Sequence, residues 1–426
     1  MNMKKCVSLG SLLLFFNLAF TQTANVVSLD SCYAQARSHT ALAAQPALLR
    51  QQLAVRNEQI ETSRLPDISL NGRATFQSEN VDLGIDNPLF QSPDLPLFQY
   101  RVTADATYTL YDGGYRQALL EQEKAASRTR EQSVEVELYK LRERVNQPFF
   151  GVLLLRQKIS LLKNTRSELQ ERIRTLQGAV DAGARLPGDI ERLRVQVLRI
   201  DAEIDKAQHD IRGLLQVLGA LTGQSYPEEV VLQLPPLPSL DFSNPSQRPE
   251  LLYFQLQQAQ ATRAEALLDA RLKPKVNAFA QVGLGAPNPL NFFDDNLSPF
   301  GIIGAQFTWK IADWQQTQRD RALLQLQRQQ IEVQKDHFVQ QLNSLDGKYR
   351  EDLAALQSAI QRQDAIAAVQ DAIRNESAAL LEQGVRTATD YLSDVNAALQ
   401  TRIQTEALRL QVQQLNMDYL TLKGLL

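Results

Sequence analysis

Two periods alternate along the 426 residues. In four short stretches the apolar positions recur at every second residue. Over 68–76, Ile68, Leu70, Gly72, Ala74 and Phe76 share one face, and Ser69, Asn71, Arg73 and Thr75 share the other. Over 101–111, Val102, Ala104, Ala106, Tyr108 and Leu110 alternate with Arg101, Thr103, Asp105, Thr107 and Thr109. Residues 276–284 and 303–311 repeat the pattern, the last with Ile303, Ala305, Phe307, Trp309 and Ile311 on its apolar side. A period of two predicts half-buried strands, here near 67–78, 100–111, 275–285 and 301–311. Strands of this length can also cross a bilayer when tilted. Tyr108, Tyr111, Phe307 and Trp309 lie near strand ends, where an interfacial aromatic girdle would sit.

Elsewhere the pattern is helical. No proline occurs from Phe300 to Leu426, and only Pro148 interrupts the stretch from Leu97 to Leu186. Both regions are rich in Gln, Leu, Arg, Glu and Ala, which are good helix formers. They predict very long helices over 113–182 and 313–383. Shorter helices return over 187–222 and 387–424, and others precede the strands near 29–64 and 248–272. Helices of about 70 residues would run about 105 Å, too long for one compact globule, and imply a coiled-coil-like assembly. Pro148 removes one helical hydrogen bond and crowds the preceding turn, so a kink or break is expected there. Tyr349 stands at the matching place in the second helix, which should be straighter.

The chain reads as a duplication. At an offset of 201 residues, Thr107-Tyr108 falls on Thr308-Trp309, Asp112 on Asp313, Gly183 on Gly384, Arg185 on Arg386 and Asp189 on Asp390. Residues 25–226 form one repeat and 248–426 the other, joined by a Pro-rich linker over 227–247. Each repeat is helix, strand, strand, long helix, returning helix. The hairpin loops 79–99 and 286–299 contain Pro, Asn and Asp but no Lys or Arg, as solvent-exposed tips do. Four strands cannot close a membrane barrel, and an open sheet edge in lipid is prohibitive. The chain must therefore oligomerise; two copies supply eight strands and three supply twelve.

Composition narrows the function. Forty-five Lys and Arg stand against 48 Asp and Glu, a net charge of −3. That balance gives no electrostatic footprint for nucleic acid. Residues 1–24 have a basic start at Lys4 and Lys5 and an apolar run from Val7 to Phe20, which predicts a secretory signal peptide. With Cys6 in that leader, Cys32 has no partner for an intramolecular disulfide. His39, His209 and His337 are far apart and lack ligand spacing, so no metal and no cofactor is expected. No nucleophile motif, phosphate loop or metalloprotease motif occurs, and no enzymatic activity is expected.

The tips between paired helices carry the most specific chemistry. They read Ala182-Gly183-Ala184-Arg185-Leu186-Pro187-Gly188-Asp189 and Gln383-Gly384-Val385-Arg386-Thr387-Ala388-Thr389-Asp390. Gly183 and Gly384 suit the left-handed residue that ends a helix, Pro187 suits a helix start, and Asp189 and Asp390 suit a first turn.

These tips, the junction Tyr108-Thr109-Leu110-Tyr111-Asp112-Gly113-Gly114 and the entry segment Val27-Ser28-Leu29-Asp30 with Cys32 resemble the TolC family of outer-membrane efflux and secretion ducts. The resemblance covers essentially all of the chain after the leader. It implies a mainly α chain with four strands, and a homotrimer whose twelve-stranded β-barrel in outer-membrane lipid continues into a twelve-helix periplasmic tunnel. It implies docking to a periplasmic adaptor and an inner-membrane pump, with the duct itself passive. By matching position it assigns Asp189, Arg386 and Asp390 to a periplasmic gate. It assigns Gly183, Ala184, Arg185, Gly384, Val385 and Arg386 to adaptor contact. The family tyrosine of the second closing segment is Leu381 here, and a second acidic ring position is Ser393, with Asp394 beside it. Small-molecule efflux is the expected role, with a protein-secretion duct as the alternative. An exported coiled-coil scaffold fits less well, because the chain has two helical hairpins and little other β structure.

Overall fold

The computed structural model describes residues 26–79, 96–237, 240–291 and 294–426. The leader 1–24 and most of the first hairpin loop lie outside the described residues. The chain is mainly helical with few strands, and its contacts divide it into two units, each drawn from several stretches of sequence.

One unit comprises 37–144, 238–361 and 414–426. Its centre is a four-stranded antiparallel sheet in the order β2-β3-β5-β6, formed by β2 (Asp67–Phe76), β3 (Phe98–Tyr111), β5 (Lys275–Ala286) and β6 (Ser298–Thr308). Register follows the alternation. Ser69, Asn71, Arg73 and Thr75 pair with Asp105, Thr103, Arg101 and Gln99, so the polar positions share one face. On that face Asp105 accepts from Asn71 Nδ2 at 2.6 Å, from Thr103 Oγ1 at 2.9 Å and from Gln281 Nε2. The other face is apolar and bare, with Ile68 and Leu70 each 75% exposed and Ile303 85%. Burying such a face would gain about 1.5–3 kcal/mol per large side chain, so it is built for a partner or for lipid.

Below the sheet, α2 (Gln45–Thr62) and α6 (Pro249–Arg271) flank α3 (Tyr115–Tyr139). Surface ion pairs such as Arg50–Glu131 and Arg56–Glu123 link α2 to α3. Val134, Leu138 and Leu141 form a small core with Leu49. Tyr139 is buried and donates to Thr421 O at 2.8 Å, with the Arg142 and Arg248 guanidinium groups over its ring. A second core gathers Leu342, Tyr419 and Leu422 against Phe242, Phe338 and Tyr349.

The other unit comprises residues up to 36, 145–237 and 362–413. It holds most of α4 (Leu141–Asp181), all of α5 (Pro187–Thr222), and parts of α7 (Gln316–Glu382) and α8 (Ala388–Lys423). Leu162, Leu169, Leu193, Ile200, Leu381 and Val395 are almost wholly buried at helical spacing along these helices. Two further strands occur here, β1 (Val26–Ser28) and β4 (Val231–Gln233), which pair in parallel. They add to the four alternating strands, and β4 lies inside the stretch read as a plain linker. Three residues are too few to show a period. α1 (Leu29–His39) follows β1 directly, and a 3-10 turn over Ala41–Ala44 separates it from α2.

Pro148 does not break its helix. The backbone is helical throughout Leu141–Asp181, and the interruption of the first long helix falls at Lys140, between α3 and α4. The turn around Pro148 is held by Val145, Phe149, Phe150 and Val152, each at most 2% exposed. Packing of that kind outweighs one lost hydrogen bond. α7 runs through its 67 residues without interruption.

Candidate functional site

The two tips, both in the second unit described, are built alike. In the first, Ala184 N donates to Ala179 O at 2.9 Å and Gly183 N to Val180 O at 2.9 Å. In the second, Val385 N donates to Leu380 O at 3.0 Å and Gly384 N to Leu381 O at 3.2 Å. This is the Schellman arrangement, which satisfies the last carbonyls of a helix and needs a left-handed residue at the turn. Gly183 has φ 72° and Gly384 φ 83°. A Cβ on Gly183 would meet nothing within 4 Å, so conformation and not space selects glycine there.

The returning helices start differently. α5 begins with Pro187, which has no N–H to satisfy. α8 is capped by Thr387, whose Oγ1 accepts from Asp390 N at 3.2 Å and donates to Asp390 Oδ2 at 2.7 Å. Asp189 and Asp390 both lie in first turns, where the helix dipole favours a carboxylate.

The arginines also diverge. Arg185, with a side chain only 12% exposed, reaches across to the other tip. Its guanidinium donates to Leu381 O and, at 3.5 Å, to Arg386 O. A cation is thus placed on the last carbonyls of α7, where the dipole is negative. Its Nη1 also lies 3.7 Å from Asp189 Oδ2. Arg386 turns to Asp394 Oδ2 at 2.8 Å. Within one chain, then, Asp189 meets Arg185 and not Arg386. Asp390 is exposed and bonded to Thr387. Gly183, Ala184, Gly384 and Val385 form the exposed ends of the tips, and the apolar side chains of Leu186 and Val385 are 74% and 73% exposed.

Behind the tips lies a polar group that sequence reasoning missed. Tyr391, fully buried, donates from its hydroxyl to Glu168 Oε1 at 3.3 Å. Glu168 Oε2 pairs with Arg374 Nη1 at 3.2 Å. The Arg172 guanidinium lies over the Tyr391 ring at 5.7 Å and pairs with Glu382. Burial pushes the Tyr391 phenol pKa up, and the Glu168 charge adds to this. A signal was present in the duplication. At the 201-residue offset Glu168, Arg172, Arg374 and Tyr391 fall on Val369, Ile373, Ile173 and Ile190. Polar residues that replace apolar ones in only one repeat are candidates to meet each other.

Among the described residues, no group of three or more His, Cys, Asp or Glu is placed to hold a metal ion. Cys32 is buried and free, 4.0 Å from the Tyr226 hydroxyl. No described helix is long and apolar enough to cross a membrane, which says nothing of a β-barrel. The arrangement offers backbone turns, ion pairs and exposed apolar ends at the tips.

Residues 34–224 match the family model described as outer membrane efflux protein. No curated protein sequence matches the chain. Solved structures share its fold at low identity. The outer membrane protein VceC from Vibrio cholerae is 15% identical, with 93% of this chain and 96% of that chain covered and a TM-score of 0.66. CusC is 15% identical over 92% and 91%, with a TM-score of 0.68. The Campylobacter jejuni CmeC outer membrane channel is 14% identical over 93% and 85%, with a TM-score of 0.64. Residues 34–224 are thus similar to the outer membrane efflux protein family, and most of the chain shares the fold of solved TolC-like outer-membrane channels.

Proposed function

We propose that three copies form the exit duct of a tripartite efflux system, carrying small molecules passively from the periplasm to the exterior. One observation carries the reading. The sheet is open, with β2 and β6 at its two edges and a bare apolar face. Unpaired edges in hydrocarbon cost several kcal/mol per group, so such a sheet enters a bilayer only when closed. In this reading β6 of one copy pairs with β2 of the next, and three copies give twelve strands. The two repeats, 25–226 and 248–426, each contribute two strands and a pair of tunnel helices, and 227–247 joins them.

The duct works with partners in this proposal. A periplasmic adaptor meets Gly183, Ala184, Arg185, Gly384, Val385 and Arg386, with exposed Leu186 and Val385 as apolar anchors. An inner-membrane pump supplies the energy. Asp189, Arg386 and Asp390 form the gate, and three copies of Asp390 narrow the entrance with a ring of carboxylates. The test is conductance of the mature chain in planar bilayers. Discrete long-lived channels support the duct. A chain that never inserts, at any protein concentration, refutes it.

A further inference from the structure

We propose that Arg73 and Arg101 form an anion-binding site at the outer mouth of the duct, taking anionic small molecules in transit. The inference rests on the duct reading above and deepens it.

Arg73 on β2 and Arg101 on β3 are direct register partners. Directly opposed residues of antiparallel strands lie on one face with Cβ atoms about 4.5–5.5 Å apart, and like charges there are destabilising. On that face the Asp105 carboxylate attracts Arg101 from two residues along β3. Among the described residues neither guanidinium makes a close ion pair or a hydrogen bond within the chain. The nearest carboxylate on that face, Asp105, is taken up by Asn71, Thr103 and Gln281.

Beyond Arg101 the sheet opens. Its partner on β5 is Gly285, which has no side chain to cover the guanidinium, and Gly285 pairs in turn with Ser298. A concavity of about 350 Å³ lies there, lined by Arg73, Arg101, Thr75, Gln99 and Asn288 among others. Two guanidinium forks beside neutral donors and an unfilled hollow suit a carboxylate, phosphate or sulfonate. The arginines share the polar face with Asn71 and Asp105, opposite the bare apolar face. In the closed barrel they line the water-filled side, so the occupant is a solute and not a lipid headgroup. They stand toward the hairpin ends of their strands, the exit. Three copies place six guanidinium groups around that mouth.

The test uses the mature chain in planar bilayers, with inorganic pyrophosphate added on the hairpin side. Wild-type current is expected to fall with rising pyrophosphate. In Arg73→Gln/Arg101→Gln the concentration for half block should rise severalfold, while Arg73→Lys/Arg101→Lys keeps much of the block. If the paired glutamine variant does not assemble, the single variants Arg73→Gln and Arg101→Gln carry the same comparison. Equal half-block concentrations in wild type and glutamine variants overturn the site, as does a wild-type current indifferent to pyrophosphate. Absence of any wild-type current is a different failure, since it removes the duct reading itself.

Discussion

Asp112 and Asp313, 201 residues apart, make the same two hydrogen bonds at the two strand-to-helix junctions. Asp112 accepts from Gly114 N at 2.8 Å and Arg116 N at 2.9 Å. Asp313 accepts from Gln315 N at 3.1 Å and Thr317 N at 2.9 Å. Both turns need two left-handed residues. The first supplies Gly113 and Gly114, at φ 69° and 81°, and the second uses Trp314 and Gln315 at φ 52° and 63°. A side chain at Gly113 is barred as well by space, because its Cβ would lie 2.6 Å from Lys273 Cβ. Non-glycine residues in this region cost about 1 kcal/mol or more each. Trp314→Gly should therefore raise the melting temperature in detergent, and Asp313→Ala should lower it through loss of about 1 kcal/mol of capping. A melting temperature unmoved by both changes would mean the junction is unstrained.

The tips predict an asymmetric response. Arg185 holds the carbonyl end of α7 and pairs with Asp189, whereas Arg386 pairs with Asp394. Arg185→Ala should loosen both tips, read as faster amide exchange at 378–386 as well as at 180–190. Arg386→Ala should affect mainly the second tip. In the proposed gate, Asp189→Ala and Arg386→Ala should each raise single-channel conductance. Conductance at the wild-type value would remove both from the gate.

The Tyr391 cluster should act as a unit. Tyr391→Phe removes one hydrogen bond to a charged acceptor, worth about 1.5–3 kcal/mol. Glu168→Ala should cost more, because it strands the half-buried Arg374 as well. The double variant should cost less than the sum of the two, a coupling of about 1 kcal/mol that a double-mutant cycle on thermal unfolding would measure. Strict additivity would show that Tyr391 and Glu168 do not interact.

Acid should weaken the unit that holds the sheet through Asp346. This carboxylate accepts from the Tyr419 hydroxyl at 2.7 Å and pairs with Arg350 at 2.7 Å and Lys423 at 3.2 Å. Burial raises its pKa, but these partners outweigh burial and hold it below the usual carboxylate range. The sign follows. A depressed folded pKa means stability that is fully present above the unfolded value, about 3.9, and lost as pH falls through the folded one. Asp346→Asn should lower stability at neutral pH and flatten its decline below about pH 4. Parallel curves for variant and wild type would take Asp346 out of the acid response.

What the sequence disclosed depended on length. Ile68 to Phe76 alternates long enough to show a period, and in the structure these residues lie in β2. Val231–Gln233 does not, and its pairing with Val26–Ser28 arises from contacts 205 residues away in sequence. Gly183 and Gly384 were legible because a left-handed turn admits few residues. The interruption at Lys140 was not, since Lys is a good helix former and its break has no local signal. At Pro148 the packing of Val145 and Phe149 keeps the helix continuous despite the local cost. At the tips, Asp189, Arg386 and their motif could be found, but Arg185's reach to Leu381 O depends on two helix ends meeting in space.

In the proposed duct this open four-stranded sheet is one third of a closed barrel. The most direct measurement is the protein-only mass of the mature chain purified in mild detergent. Three copies per particle are expected. A stable monomer, soluble without detergent, would contradict it, because the bare face of Ile68, Leu70 and Ile303 would then be facing water.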